Sequence, residues 1–146
     1  MIGKNHKSAI ENTVERKSRY TIIIKLKSKK ADEVAKMFSK KLNQLQKIVK
    51  KSMTYDNGIE MTRREKITKK TDIKIYFARP YSSWQRGTNE NTNGLIRRYL
   101  PKGRDFNKID ERSLRIIQEK LNNRPRKIVG FKTPQEMMDS ELKKIA

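Results

Sequence analysis

The stretch that decides the class of fold runs from Tyr20 to Lys50 and reads YTIIIKLKSKKADEVAKMFSKKLNQLQKIVK. Residues 20–26 predict a strand, because apolar side chains alternate: Tyr20, Ile22, Ile24 and Leu26 share one face and Ile23 lies on the other. Residues 31–50 predict an amphipathic helix, in which these apolar side chains recur at helical spacing: Val34, Ala35, Phe38, Leu42, Leu45 and Val49. A strand followed directly by such a helix is typical of α/β domains.

The flanking segments extend this pattern in both directions. A strand over Ser8 to Val14 is expected to pair antiparallel with the strand over Tyr20 to Leu26. Further along we expect a strand at Ser52 to Tyr55, a weak helix around Thr62 to Lys69, and a strand at Ile73 to Ala78 that runs parallel to the strand at Ser52 to Tyr55. Two helices should follow, one capped by Asp110 and a last one opened by a capping box from Thr133 to Glu136. The predicted fold class is α/β, with a mixed sheet flanked by helices.

One segment breaks the local rules for helices. The run from Gly87 to Gly94 reads GTNENTNG, which is poor helix material and on propensity alone indicates an exposed loop. Yet Trp84 before it and Leu95, Ile96 and Tyr99 after it have helical spacing. A stretch that violates propensity inside a helical pattern is where function tends to lie.

The charge balance points to a polyanionic partner. The 146 residues hold 37 Lys and Arg against 16 Asp and Glu, a formal net charge of +21. These charges are spread along the chain, which predicts a basic folded face rather than a basic tail. Such a face favours nucleic acid, with a ribosome or an anionic membrane surface as the alternatives.

Several classes of protein are disfavoured by composition. The chain has no Cys, so the sequence predicts neither a disulfide framework nor a cysteine-based zinc site. It shows no long apolar run and no signal peptide, from which we expect no membrane association and a cytoplasmic protein.

Two carboxylates stand out by their position. Asp56 follows the predicted strand at Ser52 to Tyr55 and precedes Asn-Gly, at the carboxyl end where ligand sites of α/β sheets collect. Glu90 would share a helix face with Arg86, Asn93 and Arg97 if the segment around it is helical. Hard divalent cations prefer oxygen ligands, so the pair is a candidate metal site. The plain alternatives are an ordinary turn at Asp56 and a solvated helix face at Glu90.

Four blocks of the sequence resemble the insertion-sequence-thirty family of bacterial transposases, within the DDE, integrase-core, ribonuclease-H-like superfamily. They are IGKNHKSAI at 2–10 with VERK at 14–17, TYDNG at 54–58 with Glu60, YFARPYSSWQRGTNENTNGL at 76–95, and LNNRPRK at 121–127 with KTP at 132–134. The third block is long and unusual, and together the blocks cover nearly the whole chain.

The resemblance implies a ribonuclease-H-like fold and a cut-and-join phosphoryl transfer on DNA. In that family two Mg²⁺ ions, or Mn²⁺ in their place, are held by an Asp, Asp, Glu triad, in which Asp56 matches the second Asp and Glu90 matches the Glu. The implied partners are transposon ends and target DNA, in the bacterial cytoplasm and on the nucleoid. Candidate DNA-binding residues are Arg86, Asn93, Arg97, Arg124 and Arg126; for the last two, a solvated helix end is the alternative.

The chain also departs from the family pattern. The first Asp of the triad lies, in that pattern, just ahead of the block at 2–10, so we expect it to be absent here, together with most of the central strand and the upstream helix-turn-helix region. Glu11 and Asn12 stand where the family has Gly and a small residue. We therefore expect residues 1–146 to form a single N-terminally truncated catalytic domain whose strand pairs lack their joining strand.

Two functions follow from this sequence. The first is a DDE-type transposase catalytic domain that is inactive alone, because one ligand of its metal ions is absent. The alternative is a non-catalytic basic DNA-binding or oligomerising fragment that associates with itself or with an intact transposase and modulates it.

Overall fold

The computed structural model describes residues 9–28, 30–45, 52–55, 64–77 and 87–144. The strands are β1 (Ala9–Val14), β2 (Thr21–Leu26), β3 (Ser52–Tyr55) and β4 (Lys74–Phe77). The helices are α1 (Ala31–Leu42), α2 (Arg64–Thr71), α3 (Gly87–Arg97), α4 (Glu111–Asn122) and α5 (Pro134–Lys143), with 3-10 turns at Phe106–Lys108 and Lys127–Val129. None of the helices in these ranges is long and apolar enough to cross a membrane.

The strand pairing follows the prediction from sequence. β1 and β2 pair antiparallel, from Ala9 opposite Leu26 to Val14 opposite Thr21. β3 and β4 pair in parallel, from Ser52 opposite Lys74 to Tyr55 opposite Phe77. Within the described ranges these remain two separate two-stranded sheets. Both predicted pairings are confirmed, and the C-terminal residues of β3 and β4, Tyr55 and Phe77, therefore lie at the same edge.

The β1–β2 sheet has a separate core on each face, because apolar side chains alternate along both strands. On one face β2 packs against α1, and this core also takes in Met53 of β3, Ile67 of α2 and Ile73 next to β4. On the other face Ile10 and Ile23 pack with Ile96 of α3 and with α4. The prediction that Ile22, Ile24 and Leu26 share one face of the strand, with Ile23 on the other, is confirmed. α3 lies on the face opposite α1.

The outer edge of β2 is covered by polar side chains of α4. Asn122 accepts a hydrogen bond from the Thr21 amide at 2.8 Å and donates one to the Thr21 carbonyl at 2.9 Å. Gln118 accepts from the Ile23 amide at 2.8 Å. The unpaired N–H and C=O groups of an edge strand can pair with another chain. Because side chains of α4 bond to these groups of β2, α4 closes this side of the sheet.

Helix boundaries confirm the predicted caps and correct the end of α1. Asp110 accepts from the Ser113 amide, and Thr133 with Glu136 forms the predicted capping box. The predicted helix to Lys50 was too long, because α1 ends at Leu42 with Asn43 as its cap. The Asn43 side chain instead donates to the Lys70 carbonyl at the end of α2, at 3.1 Å. Residues 46–50 lie outside the described ranges.

Candidate active site

The polar segment that includes Glu90 is helical, and contacts with the β1–β2 hairpin explain why. The Asn12 side-chain amide donates to Asn89 Oδ1 at 2.6 Å, and the Arg19 guanidinium donates to Thr88 Oγ1. Thr92 adds a bond to the Thr88 carbonyl at 2.9 Å. These contacts, with the apolar packing of the second half of α3, offset the low helix propensity of the segment. Of the two readings left open by the sequence, the helix is therefore the correct one.

Glu90 lies in the first turn of α3, with its side chain exposed. The positive end of the helix dipole stabilises a carboxylate at that position. The residue before it is held by Asn12, so the backbone at Glu90 is tied to the β1–β2 sheet while its carboxylate faces solvent. The Glu90 side chain is therefore accessible from solvent while its backbone is held in place.

The other residues predicted on the Glu90 face differ in their surroundings. Asn93 is half-buried, and its Oδ1 atom is buried without a hydrogen-bond partner among the described residues. Arg97 donates to the Leu100 carbonyl at 3.4 Å, and its guanidinium carbon lies 5.9 Å from the centre of the Phe106 ring. Arg97 thus packs toward the C-terminal end of α3, while Arg86 lies outside the described ranges.

Asp56 also lies outside the described ranges, so its distance from Glu90 stays a prediction. The strand before it is described: Tyr55 is the last residue of β3 and pairs with Phe77 at the end of β4. Among the residues with described positions, no three His, Cys, Asp or Glu side chains are grouped so as to hold a metal ion. Carboxylate oxygens such as those of Asp56 and Glu90 are the type of ligand that Mg²⁺ and Mn²⁺ prefer.

Arg124 and Arg126 follow the C-terminus of α4 and lie on a different element from Glu90. Arg124 is exposed, whereas Arg126 is half-buried and donates to the Leu121 carbonyl at 3.3 Å. Burial lowers the pKa of Arg126, and the nearby charge of Arg124 lowers it further. Arg126 therefore holds the end of α4 in place, whereas the exposed Arg124 is accessible from solvent.

The residues that position α3 were not predicted from the sequence. Asn12 is buried on the β1 face that also carries Ile10, and Arg19 adopts a left-handed backbone conformation with φ of 63°. A usable signal was present at Asn12: a polar residue two positions after Ile10 in a strand lies on the same, inward face. Such a residue needs a polar partner, which here is Asn89.

Comparison with known proteins places this arrangement among integrases and transposases. The integrase core domain family model matches residues 1–83. The transposase for insertion sequence element IS4351 of Bacteroides fragilis is 47% identical over 136 residues, which are 93% of this chain and 41% of that protein. Transposase InsI for IS30A of Escherichia coli (strain K12) is 43% identical over 139 residues, 95% of this chain and 36% of that protein. The chain thus spans about two fifths of the length of these relatives.

Solved structures give the same fold at low sequence identity. The catalytic core domain of BIV integrase superposes with a TM-score of 0.73 at 22% identity, covering 99% of this chain and 93% of that one. A chain of the simian T-cell lymphotropic virus intasome in complex with PP2A regulatory subunit B56 gamma gives a TM-score of 0.70 at 16% identity, covering 92% and 50%. The fold is the ribonuclease-H-like integrase catalytic core, a mixed α/β fold with small sheets flanked by helices. Because the family model covers more than half of the sequence, the chain belongs to the integrase core domain family, and it fits the transposases of the insertion-sequence-thirty family.

Proposed function

We propose that this chain is catalytic-core sequence of a DNA transposase, in which Asp56 and Glu90 hold a divalent metal ion for phosphoryl transfer. The observation that carries the proposal is the attachment of α3: its first turn is bonded to β1 and to the β1–β2 turn, and it presents the exposed carboxylate of Glu90. A carboxylate on a rigid element is the form of ligand that metal-dependent catalysis requires.

The parallel pairing of β3 and β4 supports the second half of the site. Asp56 comes directly after β3, at the strand end where α/β sheets collect their ligand residues. A bound Mg²⁺ or Mn²⁺ would neutralise phosphate charge and align the attacking oxygen, which are the main demands of phosphoryl transfer. The net charge of +21 would draw transposon ends and target DNA toward the same protein.

A metal-binding experiment tests the site without depending on activity. In the 146-residue chain, Mn²⁺ should broaden the amide resonances of the first turn of α3 at low occupancy. Asp56→Asn and Glu90→Gln should each reduce this broadening, while Glu111→Gln should leave it unchanged. Glu111 is the matched control because it is also an exposed carboxylate in the first turn of a helix. Equal broadening in all three variants would rule out the assigned ligands.

We further propose that the chain alone does not cleave DNA. Two carboxylates supply too little negative charge to hold two divalent ions at close range. Incubation with Mg²⁺ and a nicked or blunt DNA end should give no product above background. Mg²⁺-dependent nicking by this chain that survives Asp56→Asn would show that the site lies elsewhere.

The alternative is a non-catalytic fragment that binds DNA or an intact transposase. The excess of positive charge and the exposed apolar residues outside the candidate site are the observations that favour it. Inhibition of a full-length transposase by both the wild-type chain and Glu90→Gln would support this modulating role. Inhibition that requires Glu90 would favour the catalytic site.

A further inference from the structure

The connection between α4 and α5 is a compact loop held at both ends. Residues 126–132, called here the α4–α5 loop, close with a hydrogen bond from the Arg126 amide to the Lys132 carbonyl at 2.9 Å. A second bond runs from the Phe131 amide to the Arg126 carbonyl, also at 2.9 Å. The Arg126 side chain holds the loop to α4, and the Thr133 capping box fixes the start of α5 directly after it. The loop is therefore a defined structure on the surface.

Two large apolar side chains of this loop lie in solvent. Ile128 is 70% exposed and Phe131 is 69% exposed, and neither belongs to the cores described above. Phe131 also has a φ of 62°, the left-handed conformation that bulky residues avoid. An exposed aromatic side chain buries little apolar surface in this fold, and residues held in sparsely populated backbone conformations cluster at functional sites.

The charges around these side chains select the kind of partner. The stretch 123–135 contains Arg124, Arg126, Lys127 and Lys132 and no Asp or Glu. Arg124, Lys127 and Lys132 are exposed. This like-signed surface and the net charge of +21 disfavour a second copy of the chain as the partner and favour a polyanion with apolar faces. Unpaired nucleotides combine phosphates with exposed base faces, and therefore match both features.

We propose that the α4–α5 loop is a DNA-contacting element separate from the metal site, in which Phe131 stacks on an unpaired base and Lys127 and Lys132 contact the flanking phosphates. The proposal rests on the proposed action on DNA but not on the assignment of Asp56 and Glu90. Because a duplex hides its base faces in the stack, the loop should favour single-stranded DNA or frayed ends. The lysine contacts should add affinity without sequence preference.

Fluorescence anisotropy with the 146-residue chain tests this contact. The probes are a labelled single strand of about 15 nucleotides, near the upper size of one such binding site, and the corresponding duplex. Phe131→Ala should weaken single-strand binding about 5- to 160-fold, the loss expected for one base stack, and should affect duplex binding much less. Phe131→Leu should behave like Ala, since it keeps an apolar side chain but cannot stack, whereas Phe131→Trp should retain the affinity.

The lysines and a second aromatic residue provide the controls. For a single strand, Lys127→Gln and Lys132→Gln should each reduce the slope of log Kd against the logarithm of the salt concentration by about 0.7. Phe131→Ala should leave that slope unchanged. Tyr76→Ala is the matched aromatic control, because Tyr76 on β4 is 55% exposed and lies outside the loop. It should leave single-strand affinity unchanged. Circular dichroism of each variant verifies that the fold is retained.

Three results would overturn the proposal. Unchanged single-strand affinity in Phe131→Ala would do so while leaving the proposed function intact. Failure of the wild-type chain to bind any DNA would refute both. The third result is that Phe131→Ala leaves DNA binding unchanged but abolishes another property. Loss of an oligomer in sedimentation would make the loop a protein contact, and loss of binding to phosphatidylserine vesicles would make it a membrane contact.

Discussion

At the scale of single residues, one buried side-chain amide connects β2 to α4, which lie far apart in the sequence. Asn122 is 2% exposed, and it satisfies both the N–H and the C=O of Thr21. Asn122→Ala leaves two buried backbone groups without partners, and we expect it to lower the free energy of unfolding by about 2–4 kcal/mol. Urea denaturation measures this loss. Asn123→Ala, at the exposed neighbouring position, should change stability by less than about 0.5 kcal/mol.

A second residue-scale prediction concerns acid. Burial raises the pKa of Glu15, but hydrogen bonds from the Ser18 side chain, the Ser18 amide and the Lys17 amide outweigh it, so the pKa falls below its ordinary value of 4.5. A carboxyl group with a lowered pKa stabilises the fold above its unfolded pKa, and that stability is lost as the pH falls through the folded value. Wild-type stability should therefore decline below about pH 4.5.

Glu15→Gln separates this contribution from those of the other acids. The variant should be less stable than wild type at neutral pH, because the amide cannot accept the same bonds as strongly. The difference between the two proteins should shrink as the pH falls below 4.5, the ordinary pKa of the group. Thermal melts at several pH values measure it, and a difference that stays constant down to pH 3 would contradict the role given to this carboxylate.

At the scale of elements, α3 depends on contacts with its neighbours, because the run from Gly87 to Gly94 has low helix propensity. Asn12→Ala removes the bond to Asn89, and we expect the first turns of α3 to open more often. Hydrogen exchange at the amides of residues 91–94 should accelerate about 5- to 10-fold, the effect of losing one hydrogen bond of about 1 kcal/mol. Exchange in α4 should stay unchanged, and Thr13→Ala, at the next position in β1, should not reproduce the effect.

The elements also show what the sequence could predict and why the rest was out of reach. β2 and α4 were predictable because their own apolar spacing and caps match the faces that they bury. The end of α1 was missed because Asn43 bonds to Lys70, a contact 27 residues away that no local pattern contains. For α3 the propensity argument pointed to a loop, and only contacts with Asn12 and Arg19 make the helix stable.

The candidate site remains a prediction, and the structure describes the surroundings of only some of its residues. Glu90 was identified by its place in an unusual polar run and by the resemblance to the transposase family. The structure shows Glu90 exposed on α3, which is bonded to the β1–β2 hairpin. Arg97 and Arg126 were predicted to bind DNA, which remains a prediction, and in the structure each also bonds to a backbone carbonyl of its own region. Long side chains on a polar face have both options, and sequence spacing cannot distinguish them. The approach of Asp56 to Glu90 remains a prediction.

At the scale of the whole molecule, charge should dominate the affinity for DNA. With a net charge of +21, many Lys and Arg side chains are available to phosphates, and each neutralised phosphate releases a counterion. Affinity for duplex DNA of unrelated sequences should fall by roughly 10³- to 10⁵-fold between about 50 and 200 mM salt. Anisotropy titrations across this range check it. Salt-independent binding, or a strong preference for one short sequence, would contradict the prediction.

The bond between Thr21 and Asn122 also has a consequence for biosynthesis. The β1–β2 hairpin leaves the ribosome long before Asn122, which follows Thr21 by 101 positions. At a synthesis rate of about 5–20 residues per second, the edge of β2 stays uncovered for roughly 5–20 s before α4 has been synthesised. Nascent chains on neighbouring ribosomes are close together during this interval, when strand edges can join. Because like-charged nascent chains repel each other, we expect the abundant lysines to keep neighbouring chains apart until α4 has been synthesised.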